Sequence, residues 1–158
     1  MISPEALLSS AVLLTGLSVL TFIDIRTFRL PDWMTLPLIP AGWLAAGWLG
    51  DPVVWHVAGA AIGYGAFVAL ELVYKAVRGR DGLGRGDAKL LAVGGAWCGA
   101  LLLPVIVLAA SMTGLIWVLA QQAITGRTMT PQSAIAFGPF LAASIVLGWL
   151  LLRFGLWA

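Results

Sequence analysis

Long uncharged stretches follow one another along this chain, with only short polar breaks between them. Four are plain: residues 6–23, 33–50, 52–70 and 134–152. A helix needs about 20 apolar residues to cross a hydrocarbon core about 30 Å thick. Each run therefore predicts a membrane helix. The second contains Pro37 and Pro40, so a kink or partial unwinding is expected near its start. The stretch 90–122 carries no charge at all. As one helix it would measure about 50 Å at 1.5 Å per residue, too long for one span and short for two plus a turn. Gly94, Gly95, Gly99 and Pro104 offer breaks. The pattern predicts a short helix over about 88–100 and then a full span to about 122. The expected fold is an all-α integral membrane protein of six helices, the fourth short. It is read as one polytopic domain over residues 1–158.

Composition agrees with a lipid environment. Hydrophobic residues make up 61% of the 158 and charged residues 10%, against about 25% charged in soluble domains. The first run has Glu5 and no basic residue before it, whereas a signal peptide starts basic and has a shorter apolar core. It is read as a retained span. The net charge of +2, without a basic tract, gives no reason to expect nucleic acid. The lone Cys98 excludes an internal disulfide and a cysteine-based zinc site. Its apolar surroundings make it a small buried hydrophobe. The pairs Gly59/Gly63 and Gly95/Gly99 would allow close helix contact. Among 19 glycines they carry little weight.

Charge orients the spans. With the N-terminus outside, the inner loops and adjoining helix ends hold Arg26, Arg29, Lys75, Arg78, Arg80, Arg85, Lys89 and Arg127, and only Arg153 falls outside. That is a strong positive-inside bias. Five spans instead of six would exchange Arg127 and Arg153, so charge does not separate these counts.

The carboxylates are the candidate chemistry. Glu5 and Asp51 are read as solvated charges outside, while Asp24, Asp32, Glu71, Asp81 and Asp87 gather on the inner side. Ionised groups at membrane depth are costly and suggest a role or a partner. Asp24 stands in the last turn of the first helix, where the macrodipole disfavours negative charge. It either pairs with Arg26 or Arg29 or has a function. Asp87 closes the run Gly82-Leu83-Gly84-Arg85-Gly86-Asp87. It is either an N-cap of the short helix or a functional group beside glycines that let another backbone approach. Asp32 reads as the N-cap of the second helix, Asp81 as a loop charge, and Glu71 with Lys75 as an i,i+4 ion pair.

Other chemistries lack their residues. His56 is the one histidine and sits near the outer end of the third helix. Ser9, Ser10, Ser111, Ser133 and Ser144 have no visible base. No metal site and no cofactor is expected. A carboxylate pair remains. Two aspartates held close share one proton. The ionised partner can then take a proton from water while the protonated one donates to a scissile carbonyl.

The segment from Asp24 through Arg29–Ile39, the run from Gly79 to Ala92 with Gly95-Ala96-Trp97, and Phe137–Ala142 together resemble the three characteristic segments of type IV prepilin peptidases. The resemblance covers most of the chain, and the second segment is quite specific. It implies a GxGD aspartyl protease with Asp24 and Asp87 catalytic, and Gly84, Gly86 and Lys89 binding substrate or supporting the site. It implies precursors of type IV pilins or secretion pseudopilins as partners, besides membrane lipid. Their leader peptides would be cut at the cytoplasmic face of a prokaryotic inner membrane. Larger members carry an N-terminal region with paired CxxC motifs and methylate the new N-terminus. With one cysteine and a start almost at the first helix, this chain is expected to be a peptidase, and methyltransferase activity is doubtful.

Two rivals stand beside this reading. One is a peptidase of the same fold with other leader-bearing clients. The other is a small scaffold or transporter, for which repeated halves and polar groups at the bilayer midplane would be expected.

Overall fold

The computed structural model describes residues 3–79, 84–125 and 136–153, and among them every regular element is helical. The helices are α1 (Pro4–Thr27), α2 (Asp32–Trp48), α3 (Val53–Arg78), α4 (Arg85–Cys98), α5 (Leu103–Thr125) and α6 (Gly138–Arg153). A 3-10 turn, Ala100–Leu102, leads into α5.

Local chemistry explains most of the boundaries. Ser3 caps α1, its hydroxyl accepting from the Ala6 N–H at 3.3 Å, with Pro4 next to it. At the other end Phe28 turns left-handed (φ 52°), and its N–H returns to the Asp24 carbonyl at 2.8 Å. The uncharged stretch 90–122 breaks at Gly99, whose φ of 77° favours glycine. Gly94 and Gly95 stay inside α4, and Pro104 falls in the first turn of α5, where its missing N–H costs nothing. Helix α2 runs unbroken through Pro37 and Pro40, so the expected unwinding does not occur. Its Leu38 carbonyl gains a bond from the Trp97 indole N–H at 2.8 Å.

Two predicted caps are corrected. Asp32 is the first helical residue of α2, with Pro31 in the cap position. Asp87 is the third residue of α4, because extended Gly84 takes the cap and its carbonyl receives the Asp87 N–H at 3.0 Å. Helix α4 thus begins three residues before the predicted 88.

Helix α4 is the centre of the bundle. Every residue from Leu90 to Cys98 is buried, as expected of a helix apolar all round. Helices α3, α2 and α6 pack on it. Glycine permits this. A Cβ on Gly59 would lie 2.5 Å from the Gly95 carbonyl oxygen, and one on Gly63 would lie 2.8 Å from that of Leu91. The pair Gly59/Gly63, uninformative in sequence, is thus the α3 seam on α4. In the same core Trp97 and Trp149 meet edge to face at 5.3 Å, and Trp149 donates to the Ser10 hydroxyl at 2.9 Å.

Large apolar side chains such as Trp33, Val54, Val77 and Leu101 point outward. Helices α1 and α3, and the stretch Ala100–Thr125, are long and apolar enough to cross a membrane, and α6 is a shorter apolar helix. A lipid-facing exterior is the physical reason such side chains need no protein partner.

The bundle has two chemically different ends. At one, Asp51 is bonded to Arg153, and the His56 imidazole lies 3.8 Å from the same carboxylate. His56 Nδ1 is 2.9 Å from the Ala96 carbonyl. Asp51 is therefore a partly buried ion-pair partner, not the solvated charge expected from sequence. The other end holds Asp24, Asp32, Glu71, Arg85, Asp87 and Lys89.

Candidate active site

At that second end a cavity of about 460 Å³ opens between the helices, and both Asp24 and Asp87 line it. Two whole helices, α2 and α3, lie between them in the chain, yet the fold brings both to one cavity. Asp24 comes from the last turn of α1 and Asp87 from the first turn of α4. Phe28, Arg29 and Leu30 from the α1–α2 link, and Ala136 and Phe137 before α6, complete much of the wall.

Asp24 is 5% exposed. Its Oδ2 has no hydrogen-bond partner among the described residues. The expected alternative, a pair with Arg26 or Arg29, is not what surrounds it. Arg26 instead stacks over the Phe22 ring at 4.3 Å. The carboxylate lies against Gly138, the first residue of α6. A Cβ there would fall 2.5 Å from Asp24 Oδ2. Asp87 is half-buried, and its nearest charged neighbours in sequence are engaged elsewhere. Arg85 Nε donates to Glu71 Oε1 at 3.4 Å, and Lys89 Nζ donates to Asp32 Oδ1. Arg85 lines the cavity too, while its Nε reaches toward α3.

The glycines before Asp87 divide in role. Gly82 lies outside the described residues, as do Arg80 and Asp81. Around Gly84 a Cβ would meet, among the described residues, only Asp87 Oδ2, at an ordinary 3.6 Å. Gly86 is different: a Cβ would lie 3.1 Å from that of Leu30. Gly86 lets the α1–α2 link close over α4. Lys89 lines the cavity as well as meeting Asp32.

Sequence reasoning missed three contributors. Gly138 had a signal, the Phe137-Gly138-Pro139-Phe140 segment, but no assigned role. Glu71 was read as a partner of Lys75, yet its carboxylate reaches Arg85. Asp32 was read as a cap, yet it pairs with Lys89. Ser133 lies outside the described residues. His56 belongs to the opposite end, away from both aspartates. Among the described residues no group of three or more His, Cys, Asp or Glu is arranged to hold a metal.

A family profile described as the type IV leader peptidase family matches residues 11–119. The chain belongs to this family. Its relatives include prepilin leader peptidase/N-methyltransferases. That of Dickeya chrysanthemi is 45% identical, covering 98% of this chain and 55% of the relative. That of Escherichia coli (strain K12) is 43% identical, covering 83% and 58%. That of Neisseria gonorrhoeae is 40% identical, covering 91% and 48%. The chain thus spans about half the length of these curated relatives. No solved structure matches it.

Proposed function

We propose that this leader peptidase family member is a membrane-embedded aspartyl endopeptidase that removes leader peptides from type IV prepilin or pseudopilin precursors. The observation that carries the reading is the shared cavity of Asp24 and Asp87. The names of the relatives support the substrate class.

The chemistry needs only the pair. Two close carboxylates share one proton, because both cannot ionise at little cost. The ionised one takes a proton from a water. The water oxygen bonds to the scissile carbonyl carbon, and the protonated carboxyl gives its proton to the carbonyl oxygen. The tetrahedral intermediate then breaks its C–N bond. The leaving nitrogen takes one proton from the pair, a hydroxyl of the intermediate returns one to it, and the new acid is released with the pair again singly protonated. Roles belong to the pair, not to one fixed member. Gly84 leaves space for the substrate backbone, while Gly86 and Lys89 support the wall.

In this reading residues 1–158 form one domain with six membrane helices and the N-terminus outside. The site then faces the cytoplasm at the inner membrane. The juxtaposition of Asp51 and Arg153 supports the six-helix count, since an odd number of crossings would put them on opposite sides. The clustering of basic residues around the site end supports the orientation.

The test is leader release. The full chain in lipid is mixed with a precursor pilin, beside Asp24→Asn and Asp87→Asn. The parent should cut, and each variant should lose roughly 10²–10⁴-fold in rate, the usual worth of a positioned acid or base. Cutting by either variant at the parental rate removes the two-aspartate mechanism.

A further inference from the structure

The first five residues of α4 carry three charges, Arg85, Asp87 and Lys89, in alternate positions. At 3.6 residues per turn, Arg85 and Lys89 are i,i+4 neighbours roughly 40° apart, with Asp87 on nearly the opposite side of the helix. Each cation is met by an acid from a different helix. Arg85 Nε reaches Glu71 Oε1 on α3 at 3.4 Å. Lys89 Nζ reaches Asp32 Oδ1 at the start of α2. Two like charges at this spacing would repel and loosen the turn if unpaired. Glu71 in turn is buried, with 11% of its side chain exposed, so it is held where Arg85 must come to it.

We propose that Glu71 and Asp32 are positioning residues for Asp87, tying its helical turn to α3 and α2 through Arg85 and Lys89. The inference rests on the peptidase reading of the site. Its physical content is separate: Asp24 is fixed by α1 and α6, so the spacing of the pair depends on what fixes the first turn of α4. The two ion pairs act there beside the burial of Ala88 and the contact of Gly86 with Leu30. Neither acid lines the cavity, so neither is placed to act on substrate.

The test uses the full chain in lipid with a precursor pilin and measures kcat and KM separately. The variants are Glu71→Gln, Asp32→Asn, and the exchange Glu71→Arg with Arg85→Glu. Each single variant should lower kcat roughly 10- to 100-fold, the scale of an ångström-level misplacement, with KM within about twofold of the parent. The exchange should return kcat to within about threefold of the parent. Parental kcat in both single variants overturns the proposal. So does a lowered kcat that the exchange leaves unrestored. If Glu71→Gln does not fold, Asp32→Asn, whose pair is more exposed, carries the same test. Hydrogen exchange at the amides of residues 87–90 is read in parallel. If the parent cuts no precursor, the peptidase reading fails while the clamp is still judged: Glu71→Gln and Asp32→Asn should speed that exchange at least about tenfold, a local opening effect. Unchanged exchange overturns it.

Discussion

The buried carboxylate of Asp24 rests against the backbone of Gly138, at the point where any larger residue would put its Cβ. Position 138 is set by the site, because a methyl group there would stand 2.5 Å from Oδ2. The acid can yield only by turning, and turning moves the reacting group. Gly138→Ala should therefore fold with little loss of stability, yet cut a precursor roughly 10- to 100-fold more slowly. Thermal unfolding beside a rate measurement checks both halves.

The glycines flanking Arg85 should respond differently. Gly84 has φ −78° and ψ 132°, which alanine adopts without strain, and among the described residues a Cβ there would meet only Asp87 Oδ2. Gly84→Ala should keep the parental melting temperature and raise KM, because on the proposed function the methyl would take space left for substrate. Gly86→Ala pushes on Leu30 and should lower stability by about 1–3 kcal/mol, the usual cost of overpacking. Equal effects of the two substitutions would contradict this division.

A proton-sharing pair titrates in two macroscopic steps. Precursor cleavage should follow a bell-shaped pH profile, rising as the first carboxyl ionises and falling as the second does. A profile flat across both limbs would speak against a carboxylate pair. Chelators should leave the rate unchanged.

The ion pair at the far end offers a control. Arg153 is 12% exposed and Asp51 23%, so removing either leaves its partner poorly solvated. Arg153→Ala should lower stability by about 1–3 kcal/mol. Where the protein remains folded, cleavage should proceed near the parental rate, since this cluster lies at the opposite end of the bundle. Denaturant titration in detergent and a rate assay on the same preparation separate the effects.

The seam between α3 and α4 can be tested alone. Gly95→Ala would place its Cβ onto the Gly59 carbonyl, with backbone on both sides and no flexible side chain to move away. It should destabilise more than Gly47→Ala, where the nearest atom is a Val53 methyl at 3.7 Å. Comparable melting temperatures would show that the helices can separate freely here.

Much of this molecule was legible in one dimension. Uncharged runs announce helices because lipid leaves no other way to satisfy the backbone. The break near Gly99 and the six helices follow from residue type and spacing, while Asp24 and Asp87 were singled out among the carboxylates by the resemblance of whole segments to a family. Exact starts did not. A glycine and an aspartate compete for the cap of α4, and the chain pattern does not say that Gly84 wins. The partners of Glu71, Asp32 and Asp51 were also hidden, because each is supplied by a distant helix. Sequence spacing reports neighbours on one helix, such as Glu71 and Lys75, and is silent about a residue such as Arg85 that arrives from another.

The sequence by itself determined that the chain is helical and apolar enough for a membrane, and that carboxylates are its candidate chemistry. Apolar length and the shortage of other reactive groups are properties of composition. Only the tertiary structure decided which carboxylates meet. Close packing of α3 and α2 on α4, possible because Gly59, Gly63 and Gly42 lack side chains, carries Asp87 to the cavity that Asp24 also lines. That meeting depends on contacts between helices far apart in the chain, and no local pattern encodes them.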